Sequence, residues 1–133
     1  MKETLDSTTI QLKMNNKTKL IVIFLIFTIS SYAQDCNDLP EYFNSYSEAL
    51  NEVKSARFEY YVSEDTSYNG SWIKSISFYS CDLESGYLIV ETDRKEYIYG
   101  DVPIYIWYDF KETESYGTYF NDEIDGYYQL QLN

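Results

Sequence analysis

A ten-residue run that is apolar except for Thr28, Leu20 to Ile29, marks a segment near the start of the chain that is not expected to belong to the folded domain. Lys17 and Lys19 precede the run, and Ser31-Tyr32-Ala33 follows it with small residues at positions −3 and −1 of a cleavage site. This order of basic, apolar and small-residue regions is typical of a secretory signal peptide. A membrane-spanning helix needs about 20 apolar residues, so this run predicts no stable membrane anchor. We therefore expect cleavage after Ala33 and a secreted or periplasmic location.

The part of the chain before the signal peptide predicts no structure. Residues 1–13 have no apolar periodicity and no helix caps, so we place the true start at Met14 and assign residues 1–33 to the removed segment. Removal leaves 100 residues, which suits a single domain. A domain of that size buries a modest fraction of its surface and gains much from a covalent link.

Cys36 and Cys81 are the two cysteines of the chain, and they predict a disulfide because exported proteins fold in an oxidising compartment. Two free thiols or an intermolecular bridge are the alternatives. A zinc site is disfavoured, since the chain has no His and two thiolates do not complete a tetrahedral site. A calcium loop starting at Asn121 also fails, because its twelfth position is Leu132 instead of a bidentate Glu. The sequence predicts no metal and no cofactor.

The charge of the exported part narrows the classes of partner. From residue 34 onward, six basic residues stand against twenty acidic ones, a net charge of −14. Nucleic acids are bound through clustered Lys and Arg, so nucleic acid is disfavoured as a partner, and so is an anionic membrane surface. A cationic partner, a neutral glycan or calcium fits this balance better. The acidity also serves simply to keep a secreted domain soluble.

The periodicity of the exported part predicts an α+β domain. Residues 44–54 form an amphipathic helix with Ser45 or Ser47 as its cap. A second helix begins at Val102-Pro103, presents Ile104, Trp107 and Tyr108 on one face, and ends or bends at Gly117. β-branched and aromatic runs predict strands at 58–62, 72–79, 87–92 and 96–99, an Asn69-Gly70 reversal, and an edge strand at 129–132. The expected fold is an antiparallel sheet of three to five strands with two helices packed on one face.

Several landmarks occur in a fixed order in the second half of the chain: Tyr97-Ile98-Tyr99, Val102-Pro103, Ser115-x-Gly117, Phe120-Asn121, Ile124 and Tyr127. In this order they resemble the KTSC domain, which is named for its occurrence at the carboxyl terminus of some lysyl-tRNA synthetases. The resemblance covers Ser71 to Tyr128 and departs from the family at Gly70, Ser80 and Thr113. It implies an amino-terminal helix–strand extension at 34–70 and a KTSC-like domain at 71–133 that fold as one unit.

The family resemblance implies RNA binding only because the domain is fused to some lysyl-tRNA synthetases, which act on RNA. The basic residues that would support such a role are absent from this chain. The exported part as a whole, including its Asp35-Cys36 start, also resembles small exported bacterial proteins that carry the domain. Charge and compartment therefore both disfavour RNA as the partner.

Four landmark residues are the candidate binding residues. Tyr97 and Tyr99 lie on one face of a strand, where paired rings stack on RNA bases or pack against a helix. Packing is favoured, because the chain has 16 tyrosines and most aromatic rings serve burial. Ser115 and Asn121 are short polar residues near helix ends, where helix capping is the default role. No His, Cys–His pair or positioned Lys activates a hydroxyl, so the sequence predicts no catalytic residue.

Two functions from different classes follow from these observations. The preferred one is a non-catalytic binding or interaction module that uses an exposed tyrosine-rich surface, with a protein or glycan of the cell envelope as its partner. The alternative is an enzyme, a carboxylate-based hydrolase of an envelope polymer or glycan.

Overall fold

The computed structural model describes residues 15–17 and 33–133. The chain divides into two units between Tyr32 and Ala33, and all that follows concerns the second unit. The predicted signal peptide, Met14 to Ala33, lies outside the described residues except for 15–17 and Ala33. Within the described ranges, no helix is long and apolar enough to cross a bilayer.

The centre of the domain is a four-stranded antiparallel sheet in which each strand pairs with the next one along the chain. Its strands are β1 (Tyr60–Asp65), β2 (Ile73–Ser80), β3 (Ser85–Thr92) and β4 (Glu96–Pro103). Short turns join them, as expected for antiparallel neighbours. The α+β class with a small antiparallel sheet is therefore confirmed.

Two main helices accompany the sheet. Helix α1 (Tyr46–Ser55) begins at Ser45, whose hydroxyl accepts a hydrogen bond from the Glu48 N–H at 3.1 Å. Helix α2 (Ile104–Glu112) follows β4 without a loop. Pro103, expected at the first helical position, is instead the N-cap residue and the last residue of β4. The sequence prediction of both helices is confirmed, and the start of α2 differs by one position.

The two helices lie on opposite faces of the sheet, which corrects the prediction that both pack on one face. Phe78 and Leu88 belong to the core cluster of α2, together with Trp107. Their chain neighbours Tyr79 and Ile89 belong to the cluster of α1. Because successive strand residues point to opposite faces, β2 and β3 are apolar on both sides and need a cover on each.

The buried face of α2 also differs from the sequence prediction. Ile106, Trp107 and Phe110 are its buried residues, whereas Tyr108 is exposed. These three positions follow the spacing of one helical face. The predicted face shares Trp107 with it but had Ile104 and Tyr108 in place of Ile106 and Phe110. Trp107 and Tyr108 are adjacent aromatic residues, and hydrophobicity alone does not show which of the two is buried.

The chain after α2 forms two short turns of helix. Helix α3 (Tyr116–Tyr119) runs directly into a π-helical turn at Phe120–Ile124. Gly117 lies inside α3, so the prediction that it ends the preceding helix is wrong, since α2 already ends at Glu112. The predicted edge strand at 129–132 is also wrong: this segment makes only isolated bridges, from Gln129 to Tyr99 and from Leu132 to Phe43.

The predicted cysteine pair closes the amino-terminal segment onto the sheet. Cys36 and Cys81 form a disulfide, with their Cα atoms 6.0 Å apart. Cys36 opens a short 3₁₀ turn, and Cys81 follows the last residue of β2. The bond therefore ties the start of the second unit to the β2–β3 turn.

Candidate functional site

The landmark tyrosines Tyr97 and Tyr99 and the indole of Trp72 surround the ring of Phe120. This ring is buried, with 5% of its surface exposed. Its centroid lies 5.4 Å from that of Trp72, 5.7 Å from that of Tyr99 and 6.4 Å from that of Tyr97. The Phe120 carbonyl accepts a hydrogen bond from the Asp125 N–H at 2.8 Å, which closes the π-helical turn. Phe120 thus separates two cavities, one beside the tyrosines and one beside Trp72.

Tyr97 and Tyr99 face the core side of the sheet together, as their spacing predicts. Tyr99 belongs to the core cluster and is 6% exposed, and Tyr97 is half-buried against the same cluster. Burial, reinforced by the carboxylate of Asp125, raises the pKa of Tyr99 well above its usual range. Lys95 Nζ lies 4.4 Å from the centroid of the Tyr97 ring. Tyr99 is therefore packed in the core with little surface on which a base can stack, whereas Tyr97 stays half-exposed.

The two tyrosines form the inner wall of a cavity of about 340 Å³. Tyr46 of α1, Asp125 and Gln129 complete its rim together with Lys95. The rim carries one cation and carboxylates from Glu96 and Asp125, so charges of both signs lie close together there.

Ser115 and Asn121 lie at a different cavity, which we call the Trp72 cleft. It encloses about 390 Å³, within the range of small-molecule sites, roughly 300–1,000 Å³. Its walls come from the turn before β2 and from the start of α3, and its lining residues are Asn69, Gly70, Ser71, Trp72, Glu114, Ser115, Tyr116, Gly117, Thr118 and Asn121. The four candidate residues are therefore divided between two cavities.

Trp72 is held in the cleft by backbone geometry. Gly70 takes a left-handed conformation with φ of 66°, and the Ser71 hydroxyl accepts a hydrogen bond from the Ile73 N–H at 3.1 Å. The Trp72 indole then rests on Gly117: a Cβ at that position would lie 2.7 Å from Trp72 Nε1. Glycine is therefore required for this close approach. Trp72 is 44% exposed, unlike Trp107, which is fully buried.

The polar groups of the cleft are only partly satisfied by the protein. Ser115 Oγ lies 2.9 Å from Thr118 Oγ1, so these hydroxyls bond to each other and Ser115 does not cap the backbone of α3. The side-chain amides of Asn69 and Asn121 are exposed and make no hydrogen bond within the part of the chain that the structure describes. The cleft thus offers hydroxyl and amide groups with free donors and acceptors beside an exposed indole.

Sequence reasoning did not single out Trp72 as a functional candidate. Its position in an alternating strand pattern assigned it to the sheet, but it precedes β2 by one residue. The sequence feature that could have identified Trp72 is its position directly after Asn69-Gly70-Ser71. A turn at these residues directs the next side chain out of the sheet.

A third cavity, about 540 Å³, lies on the outer side of α2 and is lined by tyrosines and acids: Tyr105, Ile106, Asp109, Tyr119, Asp122, Glu123, Tyr127 and Tyr128. Burial and the carboxylates of Asp109 and Glu123 raise the pKa of Tyr119 to about 12. The landmark Tyr127 lies on the rim of this cavity and is largely exposed. Within the described residues, no three acidic or sulfur side chains come together as a metal site.

The fold and its clefts define a small α+β domain with polar and aromatic surface cavities. The family model of the KTSC domain matches residues 72–128. The chain therefore carries a KTSC domain, a domain of unknown function, as the landmarks predict. The match begins at Trp72 and includes Ser115, Gly117, Phe120 and Asn121, so it contains most of the wall of the Trp72 cleft. Comparisons with curated proteins and with solved structures give no significant match.

Proposed function

We propose that this protein is exported and acts as a non-catalytic binding module whose ligand site is the Trp72 cleft. The observation that carries the proposal is the exposed indole of Trp72, fixed on the backbone of Gly117 beside the unpaired amide of Asn121. An exposed, immobilised aromatic ring with nearby hydrogen-bonding groups gives contact area at a small entropic cost. Export is supported by the signal-peptide pattern and by the disulfide.

The chemistry of the cleft favours binding over hydrolysis. Glu114 is the one carboxylate among the residues that line it. Glycoside hydrolysis ordinarily needs two carboxylates placed on either side of the bond that is cleaved. The hydroxyls of Ser115 and Thr118 bond to each other, and within the described residues neither donates a hydrogen bond to a carboxylate that could activate it. These features support a site that holds a ligand unchanged.

The cavity beside Tyr97 is a weaker candidate for the same role. Tyr99, one of the two rings of its inner wall, is a core residue that is 6% exposed, so a ligand there gains little contact with that ring. Lys95 already covers the ring of Tyr97 at 4.4 Å. A ligand would have to displace this cation before reaching the ring, which costs affinity.

A fragment screen by two-dimensional NMR on the purified protein tests the proposal. We expect polar fragments to shift the indole N–H of Trp72 and the backbone amides of Gly117 and Asn121, and to be recovered chemically unchanged. The Trp72→Ala variant should lose these responses, whereas Tyr61→Ala, which removes an exposed ring outside the cleft, should keep them. Responses confined to the Tyr97 cavity, or turnover of the fragments, would contradict the proposal.

A further inference from the structure

We infer that the ligand of the Trp72 cleft is a neutral saccharide, recognised by stacking on Trp72 and by hydrogen bonds to Asn121, Thr118 and Asn69. This inference rests on the proposed function and adds the chemical class of the ligand. It follows from three properties of the cleft: its aromatic wall, its uncharged polar groups and its charge.

The aromatic wall suits the apolar face of a sugar ring. The face of an aromatic ring carries partial negative charge and attracts the weakly positive hydrogens of C–H groups. Trp72 keeps 44% of its surface open, while contacts with Phe120 and Gly117 fix the indole from inside. A pyranose presents one face of C–H groups, so it can lie against the open part of the indole without losing hydrogen bonds to water.

The polar groups suit the hydroxyls at the ring edge. A sugar hydroxyl both donates and accepts, so its best partners do the same. The amides of Asn69 and Asn121 offer a carbonyl and an NH₂ each, and neither is used within the described part of the protein. Thr118 Oγ1 accepts from Ser115 and keeps its own proton to donate outward. Six of the cleft's side chains carry a hydroxyl or carboxamide group, and this mixture matches a polyol.

The charge of the cleft disfavours anionic ligands relative to neutral ones. No Lys or Arg lies among its lining residues, and Glu114 is its single charged side chain. The exported part carries a net charge of −14, which repels phosphates, uronates and nucleic acids. The third cavity carries three carboxylates, those of Asp109, Asp122 and Glu123, whereas the Trp72 cleft carries one. A basic peptide should therefore bind at the third cavity in preference to this cleft.

Titration with defined saccharides tests the inference. The probes are the neutral tetrasaccharides of N-acetylglucosamine, β-1,4-glucose and α-1,4-glucose, with tetragalacturonate as the anionic comparison and tetralysine as the cationic one. We expect at least one neutral probe to shift the Trp72 indole N–H and the Asn121 side-chain amide at millimolar concentration or below. Tetragalacturonate should leave both resonances in place.

Variants separate the contributions of the ring and the amide. Trp72→Ala should weaken binding of the neutral probe by about tenfold or more, and Asn121→Ala should weaken it severalfold. Trp72→Phe should retain part of the affinity, and Tyr61→Ala should bind as the unaltered protein does. All three altered side chains are exposed, so the domain is expected to remain folded.

The outcomes distinguish this inference from the proposed function. If no neutral probe shifts the cleft resonances at about 10 mM, the saccharide class is wrong. If tetralysine or tetragalacturonate shifts them instead, the cleft stands as a binding site and the ligand class is overturned. If a neutral probe binds only at other resonances, such as those of Tyr97, both the ligand class at this site and the assignment of the cleft are overturned.

Discussion

Removal of the disulfide between Cys36 and Cys81 should lower the stability of the domain by about 4 kcal/mol. The cysteines are 45 positions apart. A cross-link removes loop-closure entropy from the unfolded chain, and for a loop of about 46 residues the standard relation gives about 4 kcal/mol at 25 °C. The segment is otherwise held by packing of Leu39 against the core cluster of α1, by two backbone hydrogen bonds with Arg57, at 2.8 and 3.0 Å, and by an exposed ion pair between Arg57 and Asp35. An exposed ion pair adds little.

This loss should lower the melting temperature by more than about 10 °C, because each kcal/mol shifts a 60–100-residue domain by about 4–8 °C. The assay is thermal unfolding by circular dichroism of the Cys36→Ala/Cys81→Ala variant. Reduction of the unaltered protein should reproduce the shift, and the same reductant should not move the melting temperature of the variant. Two titratable thiols in the native protein, or a shift below about 3 °C, would refute the reasoning.

Two further predictions concern the core. Phe120→Ala should destabilise the domain by about 3–5 kcal/mol, because it empties the buried space between Trp72 and Tyr99, whereas Tyr127→Ala on an exposed rim should cost about 0.5 kcal/mol or less. Urea titration of both variants checks this, and equal losses would contradict it. The fold raises the pKa of Tyr99 and that of Tyr119, the latter to about 12, so the unfolded chain ionises first as the pH rises. Stability should be complete below about pH 10 and fall from pH 10 towards 12 and above, and melting temperatures that stay constant over that window would disagree with this.

The sequence predicts those elements whose signals are local. Helix α1 was expected at 44–54 with Ser45 or Ser47 as its cap, and it lies at Tyr46–Ser55 with Ser45 as the cap. The expected strands 72–79 and 87–92 match β2 and most of β3. In each case the deciding feature, a capping hydroxyl or a β-branched run, lies within the element.

The elements that depend on distant partners were predicted less well. β4 was expected to end at Tyr99, because Val102-Pro103 is typical of a helix start. In the fold, Val102 pairs with Gly86 and Pro103 with Ser85, so the strand continues across a register shift. Gly86 is also needed on the β2 side of β3, since a Cβ there would lie 2.0 Å from the Tyr79 carbonyl oxygen. Such a contact between strands has no signature in either segment alone.

The candidate site was also predicted only in part, because its residues come from distant segments of the chain. Ser115 and Asn121 were selected from the family landmarks, and they do share a cleft. Tyr97 and Tyr99 were selected with them, yet they face the other side of Phe120. The partner of Ser115 and Asn121 is Trp72, more than 40 positions earlier in the chain. Which residues meet across a fold is decided by packing, and the sequence offers no local sign of it.

The most direct test of the Trp72 cleft is the response of the Gly117→Ala variant to the fragments that bind the unaltered protein. The new Cβ would lie 2.7 Å from Trp72 Nε1, and the exposed indole can move away without opening the core. We predict a melting temperature close to that of the unaltered protein, a displaced Trp72 indole N–H resonance, and loss of the fragment responses at Asn121. Undiminished fragment binding in a variant whose Trp72 resonance has moved would contradict the assignment of this cleft as the ligand site.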